Sequence, residues 1–426
     1  MKRNRMGDFF RKALRPAVLL LISACGGGST AGAGSQASGA PLSLASPAAS
    51  SAPAPGATPT PTDSRIGLAS GFASSTIASV PGARELATLP NGDLLVGTGG
   101  TSIFIIPNAD AAGLPGAPQV FATLADSPAA GVAFGGGYVY AGTQYGVWRM
   151  SYRTGDLSES NAVEIAKIRQ GRIPAGSDGD VHRTTSVAVC PSAVFVSVGS
   201  SCNACTEIDP TRATIQKMNF DGSVTATRAT RIRNAIALAI DPSSGALWAG
   251  GAGQDDLPAG HPYEFFDNVS AHAGIADYGW PVCEENHVDY GGGGDGCAAT
   301  VAPLVEFPAY STIIGAVFYP AVQGGAYAFP PSYRGGAFVS IHGSWHTCGS
   351  VPCVGPHVAY VPFLRGGPAT PVDWSDPTKQ WTDFMSGFQD GSGNRIGRTT
   401  GLAVGINGSL FVADDASGNI YRIRPQ

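Results

Sequence analysis

The chain has 426 residues, 43% of them hydrophobic and 13% charged, so it can bury a large core and cannot be wholly disordered. Glycine (59) and proline (32) make up about a fifth of it without a Gly-X-Y period, which excludes collagen-like order and argues for many turns and few long helices. A net charge of −5 with no concentrated basic face excludes a nucleic-acid binder.

The chain opens as an export signal. Lys2, Arg3, Arg5, Arg11, Lys12 and Arg15 precede a short apolar run, 17–22. That run is too short to span a membrane, which takes about 20 apolar residues. Ile22-Ser23-Ala24-Cys25 resembles the bacterial lipobox, so residues 1–24 are expected to be a lipoprotein signal peptide and Cys25 a lipidated N-terminus attached to the membrane. An ordinary signal peptide ending near Cys25 would change the anchor but not the compartment. The expected location is the bacterial cell envelope, in the periplasm or anchored at the outer membrane. Loss of residues 1–24 removes six basic residues and one acid and leaves a charge of about −10.

Residues 25–64 follow as the lipidated cysteine and a low-complexity linker. Between 26 and 62 there is no charge, no aromatic residue and no hydrophobic period, so this stretch cannot bury enough apolar surface to offset its ordering entropy. As a flexible coil it would hold the folded part roughly 30 Å from its anchor.

Seven cysteines lie beyond Cys25, and six fall into close pairs: Cys202 with Cys205, Cys283 with Cys297, and Cys348 with Cys353. In an oxidising compartment each pair is expected to close a short loop as a disulfide, with Cys190 left as a buried free thiol. Cys202-Asn-Ala-Cys205 is also compatible with a redox dithiol or half a zinc site, although no second ligand pair follows at zinc spacing.

Residues 65–426 read as one repeat domain. A short β-like segment, a Gly or Asn turn and a second apolar strand recur from Glu85, Gly131, Ser186 and Ala235, and more loosely from Gly315 and Gly401. Leu86, Val132, Val187, Ile236, Ala316 and Leu402 are spaced by 46, 55, 49, 80 and 86 residues, the first three near the length of one four-stranded propeller blade. Alternation such as Leu94, Val96 and Phe104, Ile106 has the period of two expected of strands. The predicted fold is therefore all-β, a six-bladed β-propeller. The long spacings predict insertions at about 250–314 and 343–393, over one end of the central channel. Closure of the ring predicts that residues near Ile77 to Val80 pair with the strands of the last repeat.

Several stretches are more specific than the repeat. His182-Arg-Thr-Thr-Ser-Val-Ala-Val runs on to Val-Gly199-Ser-Ser-Cys-Asn-Ala-Cys205; then come Arg233-Asn234, Tyr278-Gly-Trp-Pro-Val-Cys283, His342-Gly-Ser-Trp345 and Gly397-Arg398-Thr-Thr-Gly401. In this order they resemble the glucose/sorbosone dehydrogenase family, six-bladed propellers that carry pyrroloquinoline quinone (PQQ) and calcium. The likeness spans roughly residues 80–425.

The resemblance implies oxidation of a sugar or aldose, with hydride passing from the anomeric carbon to the quinone and a lactone or acid as product. It makes His182 the general base for the sugar hydroxyl, and Arg233 the fixed cation that stabilises charge on the quinone oxygen. Asn234 and Arg398 become cofactor ligands, with His342 a further candidate contact and His346 beside it. Calcium falls to the loop after the fourth repeat, at Gly253 and Gln254, where oxygen donors suit a hard ion. Asp255 and Asp256 follow, either adding to that field or forming a solvated acidic loop.

The chain also departs from the family. Ala129-Ala130-Gly131 stands where a Pro-His-Gly is usual, and His346-Thr347 where Asn-Arg is usual. Losing charge-assisted bonds to the cofactor carboxylates lowers affinity, at about 1.5 to 3 kcal/mol each. A catalytically degenerate propeller, serving as a surface sugar- or protein-binding module, is therefore the rival expectation. A calcium-dependent lactonase on the same architecture would need several acids converging in the channel, and they are sparse at the repeat ends. No Gly-x-Ser-x-Gly elbow, phosphate loop or HExxH helix is present. The expected partners are a small sugar and an unidentified electron acceptor.

Overall fold

The computed structural model describes residues 56, 58–169 and 180–426, in which strands dominate and helix is confined to short 3-10 turns. The export signal, Cys25 and the linker up to residue 55 lie outside the described residues.

Neighbouring strands, joined by tight Gly and Asn turns, pair antiparallel into successive four-stranded sheets, the blades. Blade 1 is Ala83–Thr88, Leu94–Thr98, Ser102–Ile106 and Gln119–Thr123. Blade 2 is Gly131–Gly135, Tyr138–Gly142, Gly146–Ser151 and Val163–Lys167. Blade 3 is Val187–Cys190, Ala193–Val198, Thr214–Met218 and Val224–Thr230. Blade 4 is Ala235–Ile240, Leu247–Gly251, Glu264–Asp267 and Val305–Phe307. Blade 5 is Ile313–Phe318, Ala337–Ile341, His357–Val361 and Thr382–Ser386. Blade 6 takes Thr399–Val404, Leu410–Asp414 and Asn419–Pro425 from the C-terminus and Phe72–Ser79 from the N-terminal side.

The first strands of successive blades pack against one another around a closed ring, the sixth against the first. They line the channel. Close approach is possible because they carry small residues: a Cβ on Gly401 of blade 6 would lie 2.3 Å from the Arg84 carbonyl of blade 1. The second strands depart from the expected alternation. Leu94–Thr98, Leu247–Gly251, Ala337–Ile341 and Leu410–Asp414 are buried at every position, because each sheet is sandwiched between two others. The outermost strands face solvent, as in Val224–Thr230.

The core lies between blades. Phe72, Tyr319, Phe329, Phe338 and Phe384 fill the space between blades 5 and 6, and Trp248, Phe266, Phe307 and Phe318 that between blades 4 and 5. Each fully buried ring contributes about 2 to 3 kcal/mol of transfer free energy.

Ring closure occurs as expected, in a strand that includes Ile77 to Ser79 and begins earlier, at Phe72. Phe72 pairs with Pro425 and Ser79 with Asn419, while Val80 only caps the strand through its N–H to Gly418 O. Two residues of the expected linker, Thr60–Pro61, add to the edge of blade 6, and Gly67–Leu68 adds to blade 5. All three expected disulfides are present, and Cys190 is free and buried. Cys283–Cys297 and Cys348–Cys353 brace the two insertions over the channel.

Candidate active site

Antiparallel pairing brings the start of each first strand and the end of each second strand to the same end of the channel. Arg84 of blade 1, His182 to Thr184 before blade 3, Arg233-Asn234 before blade 4 and Arg398 before blade 6 therefore meet residues that follow second strands. Those are Ser200, Gly253, His342 and Asp415.

His182 is half-buried, and its Nδ1 lies 2.8 Å from Ser200 Oγ and 3.1 Å from Ser200 O. The Ser200 hydroxyl proton is committed to Cys202 O at 2.8 Å, so both Ser200 oxygens act as acceptors and Nδ1 must carry a proton. Nε2 is left as the basic nitrogen. Desolvation, followed by the neighbouring Arg233 guanidinium, pushes the His182 pKa down to about 3, which keeps the ring neutral at ordinary pH. Gly199 makes room: a Cβ there would meet the His182 Cβ at 2.6 Å and Asn234 Oδ1 at 2.7 Å.

Arg233 is buried and uses all three nitrogens. Nε donates to Asn203 O at 3.0 Å, Nη1 to Gly253 O at 2.5 Å, and Nη2 to Asn203 Oδ1 at 2.8 Å and Asp255 Oδ2 at 3.0 Å. Asn203, inside the Cys202–Cys205 loop, thus clamps the guanidinium, accepts the Asp255 N–H at 2.8 Å and receives Trp280 Nε1 on its carbonyl at 2.9 Å. Cys202, Cys205 and Glu207 form a close group of metal-ligand types, but the two sulfurs are bonded to each other and Glu207 holds Ser201.

The structure brings Gly253 and Gln254 beside Arg233, with unequal capacity for a cation. The Gly253 carbonyl already accepts from the guanidinium, whereas Gln254 Oε1 is buried without a hydrogen-bond partner among the described residues. Glu284 Oε1 is likewise buried and unpartnered, while the same carboxyl group accepts the Gln254 N–H. Burial pushes the Glu284 pKa up to about 7, with Arg233 opposing the rise. Glu264, beneath the same loop, accepts backbone N–H groups of Thr312, Ile313 and Gly253, and burial raises it to about 8.

Across the channel, His342 Nε2 lies 3.0 Å from Asp415 Oδ1, and Asp415 Oδ2 receives Arg84 Nη1 at 2.8 Å. Arg84 Nη2 reaches Thr184 Oγ1 at 3.2 Å, so this one side chain links blades 1 and 6 to the His182 segment. Burial holds the His342 pKa near 4 despite the carboxylate. Arg398 donates Nε to His342 O and Nη2 to Gly343 O; burial lowers its pKa to about 10, so it stays charged at neutral pH. Arg395 adds a fourth guanidinium, donating to the carbonyls of Ser344 and Val354.

The departures from the family pattern have structural places. Ala129 and Ala130 are buried, and their carbonyls accept the N–H groups of Thr98 and Glu85, joining blades 1 and 2. His346 pairs through Nε2 with Asp255 Oδ1 at 3.1 Å. Sequence reasoning missed Arg84, Ser200, Asn203 and Asp415. Ser200 and Asn203 lie inside a quoted motif and were recoverable as partners of His182 and Arg233; Arg84 and Asp415 meet only when the ring closes.

Residues 288–426 match the TrAA12-like family. The matched segment carries His342, Arg398 and Asp415. Among solved structures, the PQQ domain of pyranose dehydrogenase from Coprinopsis cinerea, in its holo form, superposes with a TM-score of 0.68 at 18% identity over 86% of this chain and 98% of that one. The iodide structure of the family AA12 carbohydrate-active enzyme of Trichoderma reesei gives 0.66 at 18% identity, covering 85% and 98%. The apo form of the soluble aldose sugar dehydrogenase of Escherichia coli gives 0.56 at 13% identity, covering 83% and 100%. These likenesses establish the fold, a six-bladed propeller, and bear out the resemblance read from the sequence. An uncharacterised protein of Borreliella burgdorferi is 24% identical over 237 residues, 54% of this chain and 56% of that protein; the chain thus spans about half the length of this curated relative.

Proposed function

We propose that this TrAA12-like propeller is a PQQ-dependent sugar dehydrogenase of the bacterial cell envelope. The observation that carries the reading is the fixed tautomer of His182, a neutral imidazole with Nε2 basic, set beside Arg233 and Asn234 in a channel end lined by further arginines.

PQQ, when bound, supplies an electrophilic quinone carbonyl that accepts hydride. The residues present suit a planar polyanion: Arg84 and Arg398 approach from one side of the channel end and Arg233 from the other, all held by protein hydrogen bonds. His182 Nε2 takes the proton of the anomeric hydroxyl as the carbon–hydrogen bond is broken, a contribution of about 10² to 10⁴ in rate. Ser200 holds the imidazole plane, and Arg233 offers fixed positive charge where negative charge develops. Asn234, which lies against Gly199, would hydrogen-bond the cofactor. Calcium would find hard oxygen donors in Gln254 Oε1 and Glu284 Oε1, which have no hydrogen-bond partner among the described residues. The basic N-terminal stretch, the apolar run and Cys25 support export and lipid attachment.

One observation favours the rival reading, a surface binding module for a sugar or protein. Arg233 is engaged by protein acceptors on every nitrogen, as a merely structural guanidinium would be. Reconstitution separates the two. The chain without its export signal, loaded with PQQ and calcium, should reduce an artificial dye in the presence of an aldose; absence of PQQ binding at micromolar concentration would sink the dehydrogenase reading.

A further inference from the structure

The loop after the second strand of blade 5 carries an aromatic group that the chemistry above does not use. Trp345 is 68% exposed, yet it belongs to a cluster of tilted rings: its ring centroid lies 3.9 Å from that of His346 at 35° between planes, and His346 lies 4.0 Å from Tyr310 at 37°. Large apolar side chains left in water are ordinarily mobile and scattered singly. This one stands on a rigid frame. The hairpin Thr347–Cys348 with Val351–Pro352 is closed by Cys348–Cys353, and its base is tied by Cys353 N to His346 O and Ser344 N to Val354 O. Arg395 locks the same base through the carbonyls of Ser344 and Val354.

The ring cluster is joined to the site. His346 Nε2 is 3.1 Å from Asp255 Oδ1, and the other oxygen of that carboxylate receives Arg233 at 3.0 Å. Backbone strain collects beside it: Asp256, Tyr310 and Thr312 have φ of 67°, 66° and 54°, conformations that side-chain-bearing residues adopt only when their surroundings enforce them. Asp256 is exposed beside the cluster, and its charge acts on the Tyr310 hydroxyl.

We propose that the exposed indole face of Trp345 is the platform on which the pyranose ring of the substrate lies, at the mouth of the channel. This rests on the sugar-oxidation reading and assigns the substrate a binding surface within it. A pyranose presents carbon-bound hydrogens on its faces and hydroxyls around its edge, so it matches a flat apolar ring flanked by carboxylates. The indole buries one sugar face; Asp256 and the Asp255–His346 pair stand where edge hydroxyls need acceptors and donors. Because the frame is braced in advance, little ordering entropy is lost on binding.

The test measures binding without turnover. Saturation-transfer NMR on the protein, with D-glucose, D-galactose, D-mannose, D-xylose and L-fucose as probes, should show transfer to ring-carbon protons for at least one sugar. Trp345→Ala should weaken that sugar about tenfold and Trp345→Phe only about twofold, since a smaller ring keeps part of the face. Thermal unfolding of both variants should match the wild type within about 2 °C, since an exposed side chain away from the core adds little to stability. Unchanged affinity in Trp345→Ala, or no binding of any probe by the wild type, overturns the platform. The dehydrogenase reading is judged separately, by PQQ titration and dye reduction. Trp345-dependent sugar binding without PQQ binding would leave the platform standing and remove the dehydrogenase; dye reduction with an unaltered KM in Trp345→Ala would do the reverse.

Discussion

A histidine serves as a base only while the correct nitrogen keeps its lone pair, and in His182 that depends on Ser200. Replacing Ser200 with alanine removes the shorter of the two Nδ1 contacts and leaves the backbone carbonyl at 3.1 Å to hold the ring less firmly, so kcat for sugar oxidation should fall about tenfold, a part of the 10² to 10⁴ expected for the base itself. PQQ affinity should be unchanged in that variant, and a drop in affinity with kcat preserved would contradict the assignment. The pKa of about 3 also fixes a pH signature: His182 is neutral in the folded protein across pH 5 to 8, so the rate should not fall with an apparent pKa near 6.5. Stability follows with a definite sign. His182 titrates at about 3 and His342 at about 4 when folded, against 6.5 unfolded, so between these values the unfolded chain binds more protons. Their contribution is fully present above pH 6.5 and is lost as pH falls towards 4. Glu284 and Glu264, raised to about 7 and about 8, act oppositely; their contribution is present below 4.5 and lost as pH rises through 7 to 8. Between pH 6.5 and 4.5 the two pairs offset each other, so the test is the difference between chains: on going from pH 6.5 to 4 the melting temperature of His342→Gln should fall less, or rise more, than that of the wild type; an equal change in the two would remove His342 as a cause.

At the scale of elements, the loops over the channel determine what the site residues can do. Cys283–Cys297 closes a segment of 14 residues against 5 for Cys348–Cys353 and 3 for Cys202–Cys205. Chain entropy assigns the longest loop about 3 kcal/mol, so the double variant Cys283→Ser, Cys297→Ser should lose that much in urea unfolding. A loss below about 0.5 kcal/mol would show that the loop is held by its other contacts, such as those of Glu285 with His261, Tyr263 and Tyr290. Much of this level was legible in the sequence. Close cysteine pairs have few partners to choose from, and strand alternation with Gly turns marks blades by local physics alone. The direction of a buried side chain was not legible. Gly253 reads as a carbonyl open to calcium, but Arg233 turns onto it and takes that oxygen, because Asn203 and Asp255 hold the guanidinium from the other side. The fully buried second strands also hide their period, since both faces meet neighbouring blades.

The whole molecule is a ring, and rings hold only when closed. Phe72–Ser79 supplies the fourth strand of blade 6 and buries Phe72 and Ile77 in the cores beside it. A chain beginning at residue 81 should therefore lose cooperative thermal unfolding, while one beginning at residue 58 keeps it; cooperative melting of the shorter chain would contradict closure by that strand. Closure also explains which site residues the sequence hid. Arg84 and Asp415 are 331 residues apart yet form a bond of 2.8 Å, and no local pattern foretells a pair made by joining the two ends of a propeller. His182, Arg233 and Arg398, by contrast, all lie in the few residues that precede the first strand of a blade, so the motifs that carry them adjoin the segments that the repeat aligns. The central claim is that this closed ring oxidises a sugar with His182 as base. It is tested most directly by a single turnover: the PQQ-loaded protein is mixed with the sugar that binds it, without an acceptor, and reduction of the cofactor is followed by its absorbance. Reduction in the wild type, slowed at least about a hundredfold in a His182→Ala variant that still binds PQQ, is the predicted result; no reduction in the wild type, or an equal rate in the variant, would contradict it.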